Sequence, residues 1–120
     1  MRRILLIEDD DANRLTLSAL LEGEGYAVTE AASFAEAERR IRAEAFDVIV
    51  LDRGLGGRDG MELVPIAGAA ARRARIVVVS GAGPSALAPG VDAWFVKGQS
   101  ISKLVDVIRK TEAENPSPET

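Results

Sequence analysis

Apolar positions along the chain fall into two alternating rhythms. Short, nearly continuous β-branched runs occur at "ILLI" (Ile4 to Ile7), "YAVTEA" (Tyr26 to Ala31), "DVIVL" (Asp47 to Leu51), "RIVVVS" (Arg75 to Ser80) and "AWFV" (Ala93 to Val96). Runs of this length and content predict five strands covered on both faces. Between them the spacing changes to a helical period: Leu17, Leu20 and Leu21 share one face, as do Phe34, Ala37, Ile41 and Ala45, and later Ile101, Leu104, Val105 and Ile108. Ser33 and Glu36 form a capping-box pair, and Ser100 is placed to cap the last helix. Strand and helix alternate throughout, which predicts a doubly wound α/β fold: a parallel sheet with right-handed crossovers and helices on both faces.

Two segments depart from this rhythm. Pro65 lies inside the third helical segment, so that helix is expected to kink there or to start later than Gly60. The fourth crossover, "GAGPSALAPGVD", has room for about one turn between Pro84 and Pro89, so its helix is expected to be short or absent. A single domain over residues 1–113 is expected, followed by a polar, Pro-containing, disordered tail over 114–120.

Composition narrows the chemistry. The chain of 120 residues has neither cysteine nor histidine. Thiolate nucleophiles, disulfides, imidazole ligands and His-based proton transfer are therefore excluded, and carboxylates become the main chemical resource. A net charge of -4 argues against direct nucleic-acid binding. No apolar run is long enough to span a bilayer and the start is no secretory signal, so a cytoplasmic protein is expected.

Open α/β sheets carry their sites beyond the carboxyl ends of the strands. Those ends bear Glu8 and Asp9, Asp52, Ser80 and Lys97. Clustered carboxylates repel one another unless a cation neutralises them, and a hard ion such as Mg2+ suits oxygen ligands. With such an ion bound, Asp52 is placed to attack a phosphoryl group whose oxygens Lys97 and Ser80 would hold. Asp10 and Asp11 read as a solvated cap on the first helix, and the Arg72, Arg73, Arg75 cluster as a solvated helix end.

From Arg3 to about Lys110 the sequence resembles the receiver domain of two-component response regulators. "LLIEDDDANR" resembles the first-strand motif with its acidic pair, and "VIVLDRGLGGRDG" the phosphoacceptor motif with Asp59-Gly60 trailing. "VVVSGA" supplies the hydroxyl residue and "WFVKG" the lysine of the fifth strand. The resemblance implies a flavodoxin-like strand order 2-1-3-4-5. It also implies Asp52 as phosphoacceptor, and Mg2+ held by Glu8, Asp9, Asp52 and the backbone carbonyl of Gly54. Ser80 and Trp94 would be the switch residues, although Trp94 reads equally well as a partly buried core residue. The implied partners are a sensor histidine kinase or histidine phosphotransfer protein and a downstream protein target, with no catalytic role beyond the chain's own phosphorylation and dephosphorylation.

Four departures from the family pattern shape these expectations, the first being the shortened fourth crossover, which implies a different recognition face from that of receivers with a full fourth helix. Gly98 stands where the family usually has proline after the lysine, often in a cis bond, which implies a trans, looser Lys97 loop. "RGLGGR" carries glycines where the family tends to have proline, which implies a more flexible loop after Asp52. A stand-alone receiver without the output domain typical of response regulators is expected, one acting through protein contacts or as a phosphate shuttle or sink. Two other classes compete: a pseudo-receiver that binds partners without phosphorylation, and a haloacid-dehalogenase-type phosphatase. The latter needs a second aspartate two residues after the first, where this chain has Gly54.

Overall fold

The computed structural model describes residues 2–70, 74–81 and 89–114. The elements are β1 (Arg3–Ile7), α1 (Asp11–Gly23), β2 (Ala27–Ala31), α2 (Phe34–Ala43), β3 (Val48–Asp52), β4 (Gly54–Leu55), β5 (Arg58–Asp59), a 3-10 turn (Gly60–Glu62), α3 (Leu63–Gly68), β6 (Arg75–Ser80), β7 (Ala93–Val96) and α4 (Ile101–Glu114). Five parallel strands are ordered β2-β1-β3-β6-β7, which is 2-1-3-4-5 counted over that sheet alone.

The alternation of side chains along each strand divides the interior in two. Leu5, Ile7, Ile49, Leu51, Ile76 and Val78 face α2 and α3, where they meet Phe34, Ala37, Ile41, Leu63 and Val64. Ile4, Leu6, Val48, Val50, Val77 and Val79 face the other way, toward Leu21 of α1 and Leu104, Val105 and Ile108 of α4. The central strands are thus sealed on both sides, which is why their sequences read as unbroken apolar runs.

Helix boundaries follow local chemistry. Asp10 caps α1 by accepting from the Asn13 amide at 2.8 Å, and Ser33 caps α2 by accepting from Glu36 N–H. Glu36 reaches back one residue further than a capping box does, accepting from the Ala32 amide at 2.8 Å. Pro65 sits in the first turn of α3, where its missing N–H is tolerated, and the helix starts after Gly60 as expected. Ser100 stands just before α4, its hydroxyl bonded to that of Ser102.

Two expected core positions are corrected. α2 stops at Ala43, so Ala45 is exposed and Phe46, one residue on, takes the buried place. Ile101 is 40% exposed because it opens α4, one turn before the helix reaches the sheet. The fourth crossover, Arg72 and Arg73, and the tail beyond 114 fall wholly or mainly outside the described residues, so the expectations made there are not carried further; Arg75 begins β6.

The glycine-rich run after Asp52 is a regular hairpin rather than an irregular loop. β4 and β5 pair antiparallel across Gly56 and Gly57, whose φ values of 55° and 91° suit a two-residue type I′ turn. Leu55 is buried in the α2–α3 core, and the Arg58 guanidinium lies 3.5 Å from the centroid of the Phe34 ring. Gly60 closes the hairpin, its amide donating to the Arg53 carbonyl at 2.6 Å. A Cβ there would overlap the carbonyl oxygen of Asp52 and lie 3.0 Å from Leu51 Cδ1. Gly60→Ala is therefore expected to lose about 1–3 kcal/mol through forced backbone displacement. Gly23→Ala, in the last turn of α1 with open space around it, is expected to gain about 0.5–1 kcal/mol. Urea unfolding of the two variants checks the contrast in sign.

Candidate functional site

The carboxyl ends of β1, β3, β6 and β7 deliver Glu8, Asp52, Ser80 and Lys97 to one edge of the sheet. Glu8, one residue past β1, is tied to β2 by its N–H donating to the Ala31 carbonyl at 3.1 Å. Its carboxylate accepts from the Asp10 amide at 3.0 Å. Asp52 is the last residue of β3 and only 4% exposed; Glu8 is 5% exposed, whereas Asp9 is exposed. One carboxylate oxygen from each of the three lies within 4.8 Å of the others. This is the expected acidic trio.

Asp52 links the other two carboxylates to a set of donors. Its Oδ1 accepts from the Gly54 amide at 3.1 Å, and its Oδ2 accepts from Lys97 Nζ at 3.2 Å. Ser80, buried at the end of β6, shares with Asp52, Gly54 and Lys97 an open cavity of about 500 Å³. Arg53, Gly57, Arg58 and Asp59 of the hairpin form another wall. The sequence motif names Asp59 but not Arg53, Gly57 or Arg58 individually, although their place after Asp52 is the available signal. Arg53 is paired with Asp59 at 3.4 Å and Arg58 with Glu62 at 3.1 Å, so both guanidinium groups are held at the rim.

The Lys97 loop differs from the looser arrangement expected. Lys97–Gly98 is trans, as are all described peptide bonds, and Gly98 takes φ 99°, a value that favours glycine. With the Lys97 amide donating to Ser80 O at 2.8 Å, the loop still brings the ammonium onto Asp52. Trp94 lies on β7 beside Val78 of β6, half-buried against the α2–α3 side of the core.

Electrostatics set the state of the trio. Burial pushes the Glu8 carboxyl up from 4.5 to about 7, helped by its hydrogen bonds to Asp52 and Asp9 and by the Asp52 charge, and opposed by the Asp10 amide. Buried carboxylates in such proximity suit a hard divalent cation, because the ion removes the repulsion that otherwise keeps Glu8 protonated. In the metal-free chain, the folded state retains a proton on Glu8 that the unfolded state releases. Its contribution to stability is thus full below pH 4.5 and is lost as pH rises through about 7. Urea midpoints of the metal-free protein should accordingly fall more between pH 5 and pH 8 (roughly from just above the unfolded value to one unit above the folded one) than those of Glu8→Gln. Added Mg2+ should reverse the fall, with an affinity that rises with pH through the same window.

Three known proteins frame this geometry. The family model described as "Response regulator receiver domain" matches residues 4–109. The response regulator receiver protein CpdR of Brucella abortus is 37% identical over 93 residues, 78% of each chain. The alginate biosynthesis transcriptional regulatory protein AlgB of Pseudomonas putida is also 37% identical, over 76% of this chain but 20% of its own, so the chain spans only a fifth of that relative. Among solved structures, the response regulator TrrA of Thermotoga maritima, in complex with Mg2+ and BeF, superposes with a TM-score of 0.78 at 26% identity, covering 92% of this chain and 99% of that one. The matched segment takes in all or part of every strand and helix and each residue of the acidic trio and its donors, and on that ground the chain belongs to the response regulator receiver domain family.

Proposed function

We propose that the chain accepts a phosphoryl group on Asp52 from the phosphohistidine of a sensor histidine kinase or phosphotransfer protein, and then presents an altered face to a downstream protein. One observation carries the reading: a buried aspartate held at 3.2 Å by Lys97 on one side and within 4.8 Å of two further carboxylates on the other. Mg2+ bound by Glu8, Asp9, Asp52 and the Gly54 carbonyl would neutralise the trio and the transferring phosphoryl oxygens. The Gly54 amide and Lys97 fix the Asp52 carboxylate in the open cavity. An Asp52 oxygen forms a bond to phosphorus as the P–N bond to the donor imidazole breaks, and the imidazole leaves with that electron pair. Lys97 and the Ser80 hydroxyl then hold the phosphoryl oxygens. Attack of water on phosphorus later breaks the Asp52 O–P bond, releasing inorganic phosphate and resetting the carboxylate.

Movement of Ser80 toward the phosphoryl group would free space for Trp94 to turn inward along β7, changing the surface a partner reads. The net charge of -4 favours a protein listener over direct nucleic-acid contact. A cytoplasmic setting goes with this reading; among the described residues no helix is long and apolar enough to cross a membrane. A phosphorylation-independent binding module would have the same fold, but the Lys97–Asp52 pair beside the trio favours the phosphorylatable form.

Trp94 is the only tryptophan, so its fluorescence reports on the site without interference. Mg2+ should give a saturable change and beryllofluoride, a phosphoryl mimic, a further one that Asp52→Asn abolishes. Incubation with a phosphodonor should add one phosphoryl mass to the wild type and none to Asp52→Asn. Absence of both the beryllofluoride response and the added mass would favour the phosphorylation-independent module.

A further inference from the structure

Arg14 stands apart from the other arginines of the described chain. Its side chain is only 13% exposed, and each of its three guanidinium nitrogens has its own acceptor: in the β1–α1 connection, on β2 and in the first turn of its own helix. Nη1 donates to the backbone carbonyl of Glu8 at 3.0 Å, Nε to Glu30 Oε1 on β2 at 3.1 Å, and Nη2 to Asp11 Oδ1 in the first turn of α1 at 2.6 Å. The Glu8 carbonyl belongs to the peptide plane that joins Glu8 to Asp9, two of the three carboxylates of the acidic trio. On the other side of Glu8, its N–H is already held by Ala31. With both backbone groups of Glu8 engaged, the peptide between the two acidic side chains is restrained from rotating.

We propose that Arg14 is the positioning residue of the cation site: by holding the Glu8 carbonyl it sets the directions in which Glu8 and Asp9 project. The proposal rests on the reading of the trio as a Mg2+ site. An arginine suits the role, since three separate acceptors call for a planar fork, whereas a lysine ammonium is a single point of attachment. Groups that orient metal ligands from outside the coordination sphere commonly govern affinity by an order of magnitude or more.

The role can be separated from simple charge because the two predict opposite signs. Arg14 is a cation near a cation site, so if only its charge mattered, removing it would tighten Mg2+ binding. If it positions the ligands, removing it weakens binding despite the lost repulsion. Arg3 provides the control, for it fastens the opposite end of β1 in a similar way, donating to the Ala45 carbonyl at 2.8 Å and to Glu44 at 2.7 Å.

The experiment measures Mg2+ affinity of the full chain by calorimetry and Trp94 fluorescence, at a pH above the Glu8 titration. Urea unfolding is run on the same samples. Arg14→Met and Arg14→Lys are both expected to weaken Mg2+ binding about 10-fold or more, while Arg3→Met lowers the urea midpoint and leaves Mg2+ affinity as in the wild type. Unchanged or tighter binding by Arg14→Met overturns the proposal, as does wild-type affinity in Arg14→Lys or an equal loss in Arg3→Met. If Arg14→Met does not fold, the charge-conserving Arg14→Lys decides alone. Failure of the wild type to bind Mg2+ overturns the cation reading itself and this proposal with it; wild-type binding with an unaffected Arg14→Lys overturns only the latter.

Discussion

Two carboxylates buried at one edge of a parallel sheet are the constraint on which this molecule turns. Glu8 and Asp52 come from adjacent strands, β1 and β3, each nearly sealed from solvent, and an apolar interior does not willingly hold two such charges together. The surroundings answer this in separate ways. Glu8 is held toward its neutral form by burial, Asp52 is met by an ammonium and an amide, and Asp9 remains in contact with water. The edge is therefore a site under electrostatic tension, best relieved by the arrival of positive charge.

The apolar layers beneath give that tension somewhere rigid to act. Every strand bearing a site residue is paired along its length, and the two faces of the sheet are packed by different helices. A change at Asp52 is thus not absorbed by a soft floor. Trp94 is half-buried on the edge strand β7, and Gly98 just beyond that strand is exposed.

Much of this was legible in the residues because the signals were of the strong kind. Strands sealed on both faces leave unbroken apolar runs, and β6 and β7 begin and end where the pattern places them. The rule that α/β sites lie beyond strand ends brought Glu8, Asp9, Asp52, Ser80 and Lys97 to one edge, where the structure also has them. What escaped was local or three-dimensional. Ala45 keeps the helical period but comes after α2 has ended, so periodicity alone misassigns it. The run "RGLGGR" was read through glycine's freedom, although two glycines flanked by pairing residues are also a hairpin turn. Arg14 gave no sign beyond its spacing from Asp11, because its acceptors lie on β2 and on a backbone carbonyl.

The hairpin beside Asp52 has a consequence for how such a molecule diversifies. Its strands are closed by contacts within six residues, and its attachments are local: Leu55 in the core, Arg58 on Phe34 and Glu62, the Gly54 amide on the Asp52 carboxylate, and Gly60 against the Asp52 backbone. The floor of the cavity depends instead on strands gathered from the whole chain. Substitutions at the hairpin rim, at Arg53 or Gly57, can reshape access to the aspartate without disturbing the sheet that carries it. Selection can therefore adjust the shape of the cavity mouth over Asp52 as a trait separate from folding.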